Sequence, residues 1–152
     1  MNSKPAFTVI ELVFVIVILG ILAFVAIPKL MATRDDAKIS KMMMNIGIIT
    51  TEIASYAVSK GTVDSNISVM SNLVNVLESR KQATLDTANK KVTLKIDGVD
   101  CIDVSIISSA TNEDLNVSLI PGGASNTICQ TLQSNIDVQM YQVPLRGMTV
   151  TH

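Results

Sequence analysis

A long apolar run near the start of the chain constrains the fold more than any other feature. After a short polar stretch that ends at Ala6, apolar residues dominate from Phe7 to Ile27. These are about 20 residues, which is enough to cross a bilayer as a helix. Glu11 is the only ionisable side chain in the run. A carboxylate within a membrane costs up to about 3 kcal/mol and usually marks a functional position. We therefore expect Glu11 to have a partner that neutralises its charge.

The residues around Glu11 resemble the N-terminus of type IV prepilins and of the related pseudopilins of type II secretion systems. The sequence Phe-Thr-Val-Ile-Glu-Leu-Val that begins at Phe7 matches the motif of that family, and Pro28 falls where the family ends the spanning part of its helix. The residue before the cleavage point is usually Gly in the family, whereas here it is Ala6, which is also small. The match covers about 30 residues, roughly a fifth of the chain.

The resemblance implies a processing step and an assembly step. A prepilin peptidase would cleave between Ala6 and Phe7, and the new amino group of Phe7 would be methylated. In a fibre, the Glu11 carboxylate of one subunit could then meet the Phe7 ammonium of its neighbour, since paired charges are tolerated in a low-dielectric medium. Gly20 and Pro28 are positions where the helix can bend as subunits pack. We expect these residues to carry processing and assembly.

Other interpretations of the apolar run remain open. A secretory signal peptide would have a shorter apolar core with a small-residue cleavage site after it, and here only the segment Ala23–Ala26 offers one. A plain single-pass anchor would make Glu11 incidental. A third alternative is a membrane-anchored periplasmic binding module that never polymerises.

The apolar pattern becomes periodic after Pro28. Apolar residues recur at steps of three and four, which is typical of an amphipathic helix: Ile39, Met42, Ile46, Ile49, Ile53 and Tyr56. Gly61 follows Lys60, the order expected at a helix C-terminus. We therefore expect one helix from Phe7 to Lys60 that is interrupted at Pro28. Core packing explains the run Met42–Met44 better than metal binding does.

The rest of the chain predicts a small α+β domain. A second helix, capped by Asp64 or Ser65, is expected to end near Glu78. Asp97-Gly98 is a strong hairpin signal, and Pro121-Gly122-Gly123 indicates another turn. The remaining predicted elements are strands Lys90–Asp97, Asp100–Ser108 and Leu115–Ile120, a helix Asn126–Ile136, and one or two strands within Val138–Val150.

These elements predict an overall organisation. Residues 1–6 form a leader, 7–28 a transmembrane and assembly helix, 29–61 an amphipathic helix, and 62–152 a globular α+β domain. The fold expected is a long N-terminal helix packed on a small antiparallel sheet. Pilin globular domains also have this layout.

Cys101 and Cys129 are the only cysteines in the sequence. If the domain lies beyond the inner membrane, an oxidising compartment permits a disulfide between them. Pilins often carry a disulfide near the C-terminus, and this pair resembles that arrangement. Two free buried thiols are the alternative. A zinc site would need more ligands than these cysteines and the terminal His152 provide.

No enzymatic activity and no cofactor is expected. His152 is the single histidine, and the sequence has no glycine-rich phosphate loop. Asp97, Asp100 and Asp103 are weak calcium candidates, since they lack a recognisable loop spacing. A net charge of -1 and an aromatic content of 3% do not favour nucleic acid as a partner.

The sequence thus predicts a structural subunit of a type IV pilus or pilus-like fibre. The alternative within the same family is a pseudopilin that moves exoproteins across the outer membrane. The expected partners are identical or homologous subunits, prepilin peptidase, the inner-membrane assembly platform and the membrane itself. The globular domain would lie in the periplasm of a bacterium, and the assembled fibre in the periplasm or at the cell surface.

Overall fold

The computed structural model of the chain describes residues 7–108, 113–120 and 126–145. The chain divides into two compact units, of which the first ends at Ala37 and the second begins at Lys38. The expected leader, residues 1–6, and the predicted turn Pro121-Gly122-Gly123 lie outside the described residues.

Helix α1 spans Val9–Lys60 and includes Pro28. The expected interruption at Pro28 does not occur, because a proline removes only one intrahelical donor while the hydrogen bonds of the neighbouring turns remain. The predicted end of the helix is confirmed. Gly61 adopts a φ of 71°, and its N–H donates to the carbonyl oxygen of Ala57 at 2.8 Å. This left-handed conformation after the last helical residue favours glycine.

In the first unit, the side chains of residues 7–34 are all exposed. Within the part of the chain that is described, α1 is the one helix long and apolar enough to cross a membrane, and its most apolar window is entirely uncovered. Contiguous apolar surface of this extent is rare on soluble monomers. The first unit therefore needs lipid or other protein around it.

In the second unit, the predicted apolar face of α1 is confirmed. Ile46, Ile49 and Ile53 are fully buried, and Met42 is buried beside them. Ile39 and Tyr56, at the two ends of the predicted face, are partly buried and pack against the same core. Met44 differs, since 63% of its side chain is exposed. The packing role inferred for the methionine run therefore holds for Met42 but not for Met44.

The single helix predicted after Gly61 is in fact two short helices, α2 (Ile67–Met70) and α3 (Asn72–Ser79). Ser71 separates them because it has an extended backbone, with φ −134° and ψ 118°. Its hydroxyl oxygen accepts a hydrogen bond from the N–H of Val74 at 3.3 Å and so caps α3.

The cap of α2 is Asn66 rather than Asp64 or Ser65. The side-chain oxygen of Asn66 accepts a hydrogen bond from the N–H of Ser68 at 3.0 Å. Asp64 acts one step earlier, where its carboxylate accepts from the N–H of Asn66 at 2.9 Å. The prediction was therefore close in position but wrong in the capping residue.

Glu52 of α1 anchors the start of α3. Its Oε2 accepts hydrogen bonds from the hydroxyl of Ser71 at 2.5 Å and from the N–H of Leu73 at 3.2 Å. A carboxylate at a helix N-terminus also interacts favourably with the helix dipole. Glu52 thus connects α1 to α3, although the sequence pattern placed it on the polar face of α1.

In the described residues, five strands form one antiparallel sheet in chain order. They are β1 (Ala83–Asp86), β2 (Lys91–Ile96), β3 (Val99–Ser108), β4 (Glu113–Leu119) and β5 (Val143–Pro144). The predicted hairpin between β2 and β3 is confirmed, with φ of 50° at Asp97 and 84° at Gly98. Positive φ at both central residues is the geometry that Asp-Gly favours in tight hairpins.

Strand β1 was not predicted from the sequence. It is only four residues long and pairs with β2 along one edge of the sheet. The turn that follows is held by Asp86, whose carboxylate accepts hydrogen bonds from the side-chain amide of Asn89 at 2.7 Å and from its N–H at 3.2 Å. These bonds lower the pKa of Asp86 below its usual value.

The C-terminal part contains α4 (Thr127–Asn135), capped by Asn126, and a 3-10 helix (Val138–Tyr141) before β5. The predicted helix here is confirmed within one residue at each end. The strand expected within Val138–Val150 is reduced to the two residues of β5, and residues 146–150 lie outside the described part. The sheet and the second half of α1 enclose one core with α2, α3 and α4. The predicted α+β fold, a long helix packed on a small antiparallel sheet, is therefore confirmed.

Replacing Glu52 with Ala is expected to lower the free energy of unfolding by about 1 to 2 kcal/mol, because the substitution leaves Ser71 and the N-terminus of α3 without their acceptor. Denaturant unfolding of the full chain in detergent measures this change. Glu78→Ala is the matched control, since Glu78 is an exposed glutamate of α3 and accepts no side-chain hydrogen bond within the described residues. Equal losses in the two variants would contradict the anchoring role.

Candidate functional site

Glu11 lies in the first turn of α1, where it forms a capping box with Thr8. The N–H and the hydroxyl of Thr8 donate to Oε2 of Glu11 at 2.9 and 2.7 Å. In return, the N–H of Glu11 points to the hydroxyl oxygen of Thr8 at 3.4 Å. This reciprocal pattern satisfies backbone donors that the start of a helix otherwise leaves unpaired.

The capping box gives Glu11 a partner inside its own chain, which the sequence analysis did not consider. The signal was present as Thr-x-x-Glu ahead of an apolar helix. Both bonds that Thr8 donates end on Oε2, and no described residue donates to Oε1. The cap is made of neutral donors, so it leaves the negative charge of the carboxylate without a cationic partner in the described chain.

Phe7 precedes α1, and 72% of its surface is exposed. The peptide bond that follows Ala6 is therefore next to a residue that is neither helical nor packed. Ala6 itself lies outside the described residues. Phe7 and Glu11 are four residues apart at the start of the same apolar segment.

Gly20 and Pro28, the other expected assembly residues, both lie inside α1. A Cβ atom added at Gly20 would meet no other atom within 4 Å, so nothing in the described chain requires a glycine there. Pro28 is likewise exposed. Neither residue takes part in packing within the described chain.

The structure joins Cys101 of β3 and Cys129 of α4 by a disulfide, with 5.7 Å between their Cα atoms. Both residues are fully buried. Gln133 strengthens the same junction, because its side-chain amide donates to the carbonyl oxygens of Cys101 at 2.8 Å and Ile120 at 3.0 Å. The disulfide and these two hydrogen bonds together fix α4 on the sheet.

The three calcium candidates do not converge on one point. Each forms an ion pair with a different lysine: Asp97 with Lys38 at 2.7 Å, Asp100 with Lys95 at 2.5 Å, and Asp103 with Lys91 at 3.1 Å. Among the described residues, no group of three or more histidine, cysteine, aspartate or glutamate side chains is placed to hold a metal ion. These aspartates thus neutralise neighbouring lysines. His152 lies outside the described part.

Comparison of the chain with known protein families, with curated protein sequences and with solved structures finds no match.

Reducing the disulfide, or replacing both Cys101 and Cys129 with Ala, is expected to lower the free energy of unfolding by about 3 to 4 kcal/mol. The 28-residue separation of the cysteines sets this value, because the cross-link restricts the unfolded chain. Denaturant unfolding with and without reductant measures it. Reductant should not affect the double variant, and a wild-type chain equally insensitive to reductant would contradict the prediction.

Proposed function

We propose that this chain is a structural subunit of a type IV pilus or pilus-like fibre. A prepilin peptidase cleaves it between Ala6 and Phe7, and the mature subunit assembles from the bacterial inner membrane. The observation that carries the proposal is the Glu11 carboxylate, which has a helix cap but no cationic partner in the described chain, at the start of a wholly uncovered apolar helix.

The uncovered apolar segment supports storage in a membrane followed by assembly. The side chains of residues 7–34 contact no core of their own chain. Lipid covers them before assembly, and the same segments of other subunits cover them in a fibre. Exchanging lipid for protein around an apolar helix changes the free energy little, so packing detail and polar contacts decide the arrangement.

The charge of Glu11 supports a specific arrangement of neighbouring subunits. Cleavage before Phe7 creates an ammonium group four residues from Glu11. Within one chain the capping box already occupies Oε2, and Oε1 remains for the ammonium of a neighbour. In a low-dielectric medium either charge alone is costly, so subunits whose two charges do not meet are disfavoured. The pair therefore fixes the register between subunits.

The disulfide supports a domain outside the cytoplasm. Disulfides persist in oxidising compartments such as the periplasm and the cell surface, and are rare in the cytosol. Cys101 and Cys129 are bonded and fully buried. In the proposed topology the second unit therefore lies on the periplasmic side of the membrane, where such a bond would persist.

Mass spectrometry of the native protein tests the processing step. We expect a mature chain that begins with N-methylated Phe7, because the motif that starts there resembles the one that prepilin peptidases cleave. A chain that keeps Met1 would indicate a plain anchor instead, and cleavage beyond Ala26 would indicate a secretory signal peptide.

Three substitutions at the capping box separate the charge of Glu11 from its role as a helix cap. Glu11→Gln keeps an acceptor for the N–H of Thr8 but removes the charge. Thr8→Val removes the hydroxyl bonds of the cap but keeps the charge and the bond from the backbone N–H. Glu11→Ala removes both the charge and the side-chain acceptor. We expect both Glu11 variants to lower incorporation into fibres at least about 100-fold, since an unpaired ammonium costs about 3 kcal/mol in such a medium.

The measurement is the ratio of fibre-bound to membrane-bound subunit in the producing cell. The membrane pool should remain in all variants, and Thr8→Val should still assemble. Wild-type assembly of Glu11→Gln, together with failure of Thr8→Val, would show that Glu11 acts only as a cap and would remove the mechanism proposed for assembly.

A further inference from the structure

A cavity of about 150 Å³ lies in the second unit, between α1, the residues that follow α3, and the β2–β3 hairpin. Its polar lining comes from Lys38, Lys41 and Asn45 of α1, with Gln82 and Lys95 opposite them. The cavity is distant in sequence from Glu11, and none of the residues proposed for fibre assembly lines it.

Asn45 is the residue in this cavity that most needs explanation. It is only 7% exposed, yet its side chain forms no hydrogen bond with any described residue. In the described part of the chain, every fully enclosed side-chain nitrogen or oxygen has a partner. The amide atoms of Asn45 therefore keep some access to solvent, and Asn45 lines the cavity. A ligand that displaces water from this amide must replace its hydrogen bonds, because a buried amide without a partner costs about 1 to 3 kcal/mol.

Gln82 presents a second free amide to the same cavity. Its backbone is fixed, because its N–H donates to the carbonyl oxygen of Leu77 at 2.8 Å and its own carbonyl accepts from the N–H of Lys95 at 2.9 Å. Its side-chain amide has no partner among the described residues. The cavity thus offers two amide groups held on fixed backbone.

One lysine at the cavity, Lys41, has a positive charge that is unpaired among the described residues. Lys41 has no ion-pair partner in the described chain. Lys38 is paired with Asp97, but the side chains are 40% and 48% exposed, and ion pairs that exposed stabilise by only about 0.2 to 1 kcal/mol. Lys95, the third lysine of the lining, is paired with Asp100 at 2.5 Å. Among the described lining residues, the charge without a partner is therefore that of Lys41.

The floor of the cavity is apolar. Met42, Leu77 and Ile96 form it, and each is at most 7% exposed. An inorganic anion would leave these apolar side chains exposed to water, whereas a ligand with a short hydrocarbon part would cover them. A cavity of about 150 Å³ can hold a molecule the size of benzene, so the ligand has about six non-hydrogen atoms.

We propose that this cavity binds a small carboxylate with a short aliphatic chain. The carboxylate accepts hydrogen bonds from the amide of Asn45 and from the ammonium group of Lys41, and the aliphatic part lies on Met42 and Leu77. The ligand is either a free short-chain acid or the side chain of a glutamate from a second copy of this chain, since the two present the same groups.

Titration of the full chain in detergent with sodium butyrate tests the proposal. The side-chain amide resonance of Asn45 in a 15N-edited NMR spectrum should shift and saturate with a millimolar dissociation constant, the range expected for a ligand this small. Inorganic phosphate at equal ionic strength should produce a weaker shift that does not saturate. An equal response to both anions would contradict an aliphatic ligand.

Matched lysine variants locate the site. Lys41→Met should weaken butyrate binding about tenfold, since it removes a charged hydrogen bond, whereas Lys60→Met, an equal charge change at the end of the same helix, should leave it within about twofold. Amide resonances of α1 monitor binding in these variants and in Asn45→Leu, which should not bind. Equal affinities in Lys41→Met and Lys60→Met, or no response to butyrate, would overturn the proposal.

The concentration dependence identifies the source of the carboxylate. A shift that needs butyrate at every protein concentration indicates a free acid. If the Asn45 resonance shifts with protein concentration alone, and butyrate reverses the association, a second copy supplies the carboxylate. Neither outcome depends on Glu11, so failure of the fibre proposal and failure of this one are separate results.

Discussion

The packing of one face of α1 on the sheet is the interaction on which the second unit depends. Ile46, Ile49 and Ile53 are fully inaccessible to solvent, and so are Val92 and Val104 on the facing strands. Burying one such side chain stabilises the fold by about 1.5 to 3 kcal/mol. Strand alternation then fixes the register, because a shift of one residue would bring Lys91 or Thr93 into the core. Before Lys38 the same helix has no such partner within its unit. A single helix therefore carries two apolar surfaces, one satisfied by its own domain and one left for lipid or other subunits.

Two glutamates of α1 serve helix N-termini. Glu11 caps α1 itself through Thr8, and Glu52 anchors α3 through Ser71. In both cases a carboxylate accepts hydrogen bonds from a backbone N–H and from a hydroxyl group. Both carboxylates lie at a helix N-terminus, where the partial positive charge of the helix is concentrated. The two sites differ in environment. Glu52 lies in the second unit, where water and other polar groups surround it in part, whereas Glu11 begins an apolar segment. Neutral donors are sufficient for Glu52. At Glu11 they leave a negative charge that another group must balance.

The sequence predicted the elements whose hydrophobic period is long or whose turn chemistry is unambiguous. One example is the apolar face of α1, whose spacing of three and four residues matches only a helix. Another is the Asp97-Gly98 hairpin, because few residue types adopt the positive φ that its turn requires. Prediction from the sequence failed where a long-range contact overrides the local preference for helix or strand. Ser71 breaks a helical pattern because Glu52, 19 residues earlier, holds its hydroxyl, and no local pattern reports that distance. Strand β1 was missed because its partner, not its own composition, makes it a strand. The capping box at Glu11 involves only local residues, so the pattern Thr-x-x-Glu is sufficient to predict it.

Asn45 is the clearest departure from the pattern that organises α1. It is adjacent to Ile46 on the buried side of the helix, where an aliphatic residue would fill the cavity and add to the core. Natural sequences tend to break local rules of this kind at functional positions, since the amide lowers stability unless something uses it. Water would satisfy the amide, but it would use neither the apolar floor nor the unpaired charge of Lys41. A ligand that combines an anionic group with a hydrocarbon part uses all three features, and this joint fit favours a bound carboxylate over a hydrated void.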